Sequence, residues 1–407
     1  MMRDADPVAS DDMRQGGIVA GEPREGGSPL GADPEVLRVV LGEEAVEKQE
    51  RRIRAGYRPT RRQLLRNLGI AGAAAGLPGF LAACTSRSAS SGGGQGNFPA
   101  HPGWKFTFIN HVTTNPFFQP TIYGIQDACA LLGLPTAQFV GSENSIVSEM
   151  VDKMNAAIAA RVDGIAVAII DPTAFNDPVA RALEAGIPVV AYNADAPAGS
   201  NNRRMAYIGQ DLFLSGQKLG ARIASLVKEG PIAGFIATPG SLNIQPRIDG
   251  AKQAIQASGL PITFTEVATG AKVEDEKSAI EAYYLGHKDL RGMVAVDAGS
   301  TQGLAQLMQK YNLPSQGIHA GGYDLLPTTL QLISQGFLDF TIDQQPYLQG
   351  FYPVVQLFLY KLSGGLQQPS DTDTGLLFVT KDNVKPYLST KTRFEGSSSK
   401  EQVVKVS

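Results

Sequence analysis

From residue 105 to residue 343 the chain alternates short apolar or β-branched runs with amphipathic stretches, and that alternation leaves few folds open. A strand, a helix and a second strand close as a parallel pair with a right-handed crossover. Repeating the unit builds parallel sheets with helices on both faces. The first unit is a strand at 105–109 and a helix at 116–132. That helix opens on Pro116, favoured at a helix start because it has no N–H to leave unpaired. A strand at 137–140 leads to Asn144, an expected N-cap, after which Val147, Met150, Val151, Met154 and Ile158 recur at helical spacing. The run 164–170 is apolar throughout, as a strand covered on both faces should be. A helix at 175–185 and a strand at 187–192 follow. Further strands are predicted near 231–237, 262–267, 292–296, 316–320 and 338–343, and helices near 212–228, 246–258, 273–286, 300–312 and 326–335. A helix at 347–362 and a short strand at 375–380 end the pattern. About ten strands crowd one doubly wound sheet. The expected fold class is therefore α/β with two doubly wound parallel-sheet domains.

In such folds ligands sit off the carboxyl ends of the strands. The residues at those ends are His111 with Asn115, Asp171, Asn193 with Asp195, the stretch 238–247 containing Asn243 and Arg247, Asp297, Asp324, and Gln344. Nearly all are polar, with carboxylates in excess. Carboxylates accept from neighbouring hydroxyls, amides both give and take, and arginine donates from a rigid fork. This set suits a polyhydroxylated ligand. Any one Asp or Asn there could instead be a turn former or helix cap.

Composition narrows the partners. The 407 residues carry 36 Lys+Arg against 39 Asp+Glu, a net charge of −3, so no basic stripe invites nucleic acid. Two cysteines, Cys84 and Cys129, and four histidines make neither a disulfide framework nor a metal cluster. No cofactor is expected. Cys129 falls among Ala128, Ala130, Leu131 and Leu132, where it should pack as a small hydrophobe.

The first hundred residues read as an address rather than a domain. Arg61 and Arg62 precede an uncharged apolar run at 68–83 that closes in Leu81-Ala82-Ala83-Cys84. As a helix that run would span about 24 Å, short of the ~30 Å hydrocarbon core. The arginine pair resembles a twin-arginine export signal, and the last four residues resemble a bacterial lipobox whose cysteine thiolate takes the lipid. The Ser/Gly tract at 85–96 would serve as a flexible tether. Residues 1–58 have no place in such a signal, and a translation start set too far upstream accounts for them. Cleavage before Cys84 would remove twelve residues of each charge and leave the net charge at −3.

Asn115-Pro116-Phe117-Phe118 resembles the segment after the first strand of ribose-type periplasmic sugar-binding proteins. The similarity continues through Ile170-Asp171-Pro172-Thr173, Gly186-Ile187-Pro188-Val189-Val190, Asp195-Ala196-Pro197, Tyr207-Ile208-Gly209, Arg247-Ile248-Asp249-Gly250, Gly322-Tyr323-Asp324 and Thr341-Ile342-Asp343-Gln344. It covers essentially 105–383. The resemblance implies two α/β domains joined by three crossovers and closing around a sugar. It divides the chain into an extension (1–58), signal (59–83), linker (84–103), an N-terminal domain (104–210 and 345–373), a C-terminal domain (211–344 and 374–395) and a tail (396–407). It makes Asn115, Asp171, Arg247 and Gln344 polar ligand contacts, Phe117 and Phe118 aromatic ones, and Asp324 an acidic contact beside Tyr323. Phe117 could instead pack in the core, as an aromatic at a helix start often does. Two positions depart from the pattern: Asn193 where relatives often carry Asp, and Asp297-Ala298 where they often carry Asn-Asp. An aromatic expected near Ala271 is also missing. The identity of the sugar stays open.

Rivals lack their signatures. A lactose-repressor-type regulator needs a DNA-reading helix-turn-helix before the first strand, where an export signal stands instead. An enzyme of a familiar class would show Gly-x-Ser-x-Gly, a phosphate loop or Gly-x-Gly-x-x-Gly after the first strand, and none is present. The expected partners are a sugar or polyol, the permease and ATPase of an ABC importer, and the membrane through lipid at Cys84. A sugar sensor presenting its ligand to a membrane receptor or kinase is the alternative.

Overall fold

The computed structural model describes residues 99–389 and 392–399. Arg61, Arg62 and Cys84, with the export and lipidation readings they carry, lie outside the described residues. Two six-stranded sheets organise the rest, each from strands scattered through the sequence. The first comprises β1 (Phe106–Asn110), β2 (Gln138–Gly141), β3 (Gly164–Val167), β4 (Val189–Tyr192), β5 (Tyr207–Gly209) and β11 (Thr372–Asp373), in the order β11-β5-β4-β3-β1-β2. The second comprises β6 (Gly230–Ile236), β7 (Ile262–Ala268), β8 (Gly292–Ala295), β9 (His319–Tyr323), β10 (Phe340–Asp343) and β12 (Leu377–Thr380), in the order β12-β10-β9-β8-β6-β7. Every pairing is parallel except β10 with β12. Central strands β1, β3 and β4 are buried at every position, as the unbroken apolar runs of β3 and β4 demand; β1 also buries Thr107 and Asn110.

The helices are α1 (Gln119–Leu131), α2 (Val147–Ala159), α3 (Asn176–Glu184), α4 (Leu212–Val227), α5 (Gln245–Ala257), α6 (Val273–Gly286), α7 (Ala298–Lys310), α8 (Pro327–Gln335), α9 (Pro346–Leu362) and α10 (Lys385–Ser389). Local details differ from the pattern-based reading. Pro116–Phe118 is a separate 3₁₀ turn before α1. Asn144 does not cap α2. The helix has no side-chain cap; the Ser142 hydroxyl orders the turn before it, accepting from the amides of Asn144 and Ile146 and donating to Glu149. The strand expected at 316–320 begins at His319, because Leu313–Gln316 forms a 3₁₀ turn closed by Gly317 at φ +74°. Strands β5 and β11 were not anticipated; at three and two residues they are too short to show a period.

Each lobe holds its helices close by one device. In the first, α1 crosses α9 through Gly124 and Gly350, where a Cβ would stand 2.1 Å from the Tyr347 oxygen and 2.0 Å from the Thr121 oxygen. In the second, α4 crosses α5 through Gly216 and Gly250, where a Cβ would stand 2.2 Å from the oxygens of Arg247 and Phe213. No side chain fits at those four positions. Cys129, 1% exposed, lies in the first core.

The chain passes between the sheets three times: between β5 and α4, between β10 and α9, and between β11 and β12. Side-chain amides tie the three passages together. Gln210 donates to the Gly375 oxygen at 3.0 Å, and the Thr374 hydroxyl to the Gln344 oxygen at 2.8 Å. Buried Gln349 gives its amide to the Gln344 oxygen at 3.1 Å and receives that of Asn193 at 3.1 Å. Asn193 and Gln345 take the left-handed conformation, at φ +62° and +58°.

Candidate functional site

The site begins where the glycine crossing of α4 and α5 pins the Arg247 backbone. Its side chain is 2% exposed and lies flat over the Tyr323 ring, 4.0 Å from the centroid. Nη1 donates to the Val296 oxygen at 2.8 Å and Nη2 to Gln210 Oε1 at 3.4 Å, while buried Nε has no partner. Tyr323 itself is fully covered, with its hydroxyl on Ser215 at 3.0 Å. It serves as the shelf beneath Arg247.

Asp324 follows at φ +75°, 4% exposed, accepting from Gln344 Nε2 at 2.7 Å. Burial pushes its carboxyl up to about 7, while Arg247 and the Gln344 hydrogen bond pull the other way. Asp297 caps α7, taking the Ser300 amide at 2.8 Å and the Ala237 amide at 3.1 Å. Four strand ends of the second sheet thus converge on Arg247, Asp297, Asp324 and Gln344.

In the first lobe, β1 leads through Asn110 to His111, 5% exposed. His111 Nε2 lies 3.1 Å from the Asn243 amide of the other lobe, and Asn243 Oδ1 receives the Ser241 hydroxyl at 2.6 Å. Asn243 is therefore the donor and the imidazole proton sits on Nδ1, which has no partner. Burial lowers the His111 pKa to about 4, so the ring stays neutral. Phe118 meets that ring edge-on at 5.3 Å, and Phe117 meets Phe118 edge-on at 4.7 Å; both phenylalanines are buried in the core of the first lobe. The lobes touch again where the Leu242 amide donates to the Ile170 oxygen at 3.0 Å. A cavity of about 310 Å³ opens between Asn115 and Phe117 on one side and Leu326 on the other.

The remaining strand-end residues are occupied locally. Asn115 accepts from the Phe117 amide at 3.0 Å. Asp171 accepts from the amides of Thr173 and Ala174 at 2.9 and 2.8 Å. Asp195 is paired with Arg204 through Nε at 2.6 Å. Asn193 faces the inter-lobe passage. The structure adds Gln210, Gln349 and Glu276, which stand outside the strand ends read from the sequence, and Asn110, the last residue of β1, whose amide donates to the buried Tyr192 hydroxyl at 2.8 Å. Buried donors at Arg247 Nε and His111 Nδ1, beside acceptors at Asp297 and Asp324, can bind a neutral ligand dense in hydroxyls. Among the described residues no cluster of His, Cys, Asp or Glu could hold a metal ion, and no helix is long and apolar enough to cross a membrane.

Residues 106–364 match the family described as periplasmic binding protein domain. The chain belongs to that family. Its members bind solutes outside the cytoplasm rather than transform them. Over 315 residues the chain is 54% identical to a xylose/arabinose-binding protein of Sulfolobus acidocaldarius, covering 74% of this chain and 77% of the relative. Among solved periplasmic binding proteins, an ABC transporter solute-binding protein from Burkholderia graminis in complex with D-arabinose superposes with a TM-score of 0.64. It is 25% identical and covers 71% of this chain and 99% of that one. A carbohydrate transporter from Acidothermus cellulolyticus in complex with myo-inositol gives a TM-score of 0.63 at 25% identity, covering 73% and 100%.

Proposed function

We propose that this periplasmic binding protein captures a pentose, or a sugar or polyol of similar hydroxyl density, and delivers it to the permease and ATPase of an ABC importer. The observation that carries the reading is the 54% identity to a xylose/arabinose-binding protein. The unpaired buried donors at Arg247 and His111 support it, because a polar group removed from water is costly until a ligand hydroxyl meets it. In this reading Arg247, Asp297, Asp324 and Gln344 grip one side of the sugar. His111, Asn115, Asp171 and the Phe117 and Phe118 rings close over the other, as 104–210 with 345–373 swings against 211–344 with 374–395. The closed form presents both lobes to the permease. The Arg61-Arg62 pair directs export and lipid on Cys84 holds the protein at the membrane.

A thermal-shift panel of D-xylose, L-arabinose, D-ribose, D-glucose and myo-inositol tests the capture step, since ligand that binds only the native state raises its melting temperature. Xylose or arabinose should give the largest rise. A panel without any shift overturns the reading. Cys84→Ser should release the protein from membranes; unchanged membrane partition would remove the anchor from the proposal.

A further inference from the structure

Glu276, in the first turns of α6, is a carboxylic acid in an enclosed place, 2% exposed. Its pocket is built for it. A Cβ on Gly299 would lie 2.0 Å from Oε2 and 2.8 Å from Oε1, so glycine at the second residue of α7 is what admits the carboxyl. Among the described residues neither Glu276 nor Asp297 has an ion-pair partner, and Glu276 Oε2 is buried without a hydrogen-bond partner. The Glu276 carboxyl is seated against the first turn of α7, two residues from its N-cap Asp297, and the two carboxyls act on each other electrostatically. Two carboxylates are both acceptors, so a hydrogen bond between them closes only when one of them holds a proton. The two differ in access: Glu276 is buried, while Asp297 is half-buried at a strand end of the candidate site.

We propose that Glu276 is a positioning residue of the sugar site, donating a retained proton to Asp297 so that Asp297 meets a ligand hydroxyl as an oriented acceptor. The proposal rests on the sugar-capture reading above. The groups facing the pair are mainly acidic or neutral. Glu274 lies on α6 itself, the Ser300 hydroxyl on α7, Thr269 beyond β7 and Asp324 beyond β9, with the Arg247 guanidinium reaching the Val296 oxygen next to Asp297. Burial first, and the Asp297 carboxylate second, push the Glu276 pKa well above the usual carboxylate range. The proton should therefore stay at neutral pH and leave only in alkali, placing two anions side by side beneath the ligand.

Calorimetric titration with D-xylose and L-arabinose from about pH 6 to about pH 10 separates the outcomes. Wild-type affinity should fall about tenfold across that range, the scale of one lost hydrogen bond. Glu276→Gln keeps a permanent donor, so it should bind within about threefold of wild type at neutral pH and lose the alkaline fall. Glu276→Ala should bind about tenfold more weakly at every pH. A Glu276→Gln profile with the wild-type slope overturns the proposal, as does a flat wild-type profile. Absence of binding by every sugar of the panel at every pH overturns sugar capture and the ligand role of Glu276 with it. Binding by both proteins with Glu276→Gln and wild type indistinguishable at every pH, alkaline included, overturns the role of Glu276 alone.

Discussion

The two lobes share an architecture and a glycine-mediated helix crossing, yet they handle polar strand ends in opposite ways. In the first lobe Asn115 and Asp171 spend their oxygens on nearby backbone amides, Asp195 is neutralised by Arg204, and His111, the one buried titratable group among the site candidates there, is neutral. The second lobe buries Arg247, Glu276, Asp324 and Asp343, with Asp297 half-covered beside them. Charges removed from water are costly unless held by partners. Five ionisable side chains gathered on one side would concentrate the polar contacts of the proposed site there. In the proposed site the first lobe would contribute shape, with Phe117 and Phe118 held in its core, and the second electrostatics.

The sharpest break in that comparison should come at the glycine crossings. Gly216→Ala places a methyl group 2.2 Å from the Arg247 oxygen. It should cost roughly 3 kcal/mol of stability by overpacking and weaken sugar binding as Arg247 shifts. Gly124→Ala in the first lobe should destabilise similarly but leave affinity in the surviving folded protein closer to wild type. Denaturant unfolding and calorimetry on both variants check the contrast; equal affinity losses would erase it. Arg247→Ala comes next, about 1–3 kcal/mol of affinity or very roughly five- to a hundredfold. Because the guanidinium also bonds Val296 and Gln210, its removal should lower the melting temperature of the ligand-free protein.

A third expectation concerns pH. Burial, the largest cause in both, raises Asp324 to about 7 and Asp343 to about 6 from 3.8. Each binds its proton more tightly folded than unfolded. Their contribution to stability is complete below about 3.8 and is lost as pH rises through about 6 and 7. His111, lowered to about 4, acts oppositely between about 6.5 and 4. Glu276, likewise raised by burial, adds to the two aspartates against the single histidine, so the ligand-free protein should melt several degrees higher near pH 5 than near pH 8. Scanning calorimetry decides it, and His111→Asn should steepen the acid rise. The smallest effect belongs to Asn115→Ala, about 1 kcal/mol of stability from the lost turn cap, with affinity changed less than in Arg247→Ala.

Much of the fold was legible because buried parallel strands must be apolar on both faces: 164–170 and 187–192 announce β3 and β4 without ambiguity. The short edge strands carried no period to detect. Within the site, Arg247 and Asp324 stood out as charges at strand ends. Glu276 did not, since it is one of three acids among the first four residues of α6, where acids ordinarily answer the helix dipole from solvent. Only the tertiary packing against Gly299 distinguishes it from Glu274 and Asp275. Asn193 and Gln349 were illegible as partners for a simpler reason, being 156 residues apart.

The amide ring across the three passages has a consequence for transport. Asn193, Gln210, Gln344, Gln349 and Thr374 carry no net charge, so these links themselves do not titrate. The site beside them does titrate, and it is joined to the amide ring by neutral links, Arg247 through Gln210 and Asp324 through Gln344. Acid, alkali and salt can therefore alter how tightly the receptor grips its cargo while its swing keeps the same mechanical bearing.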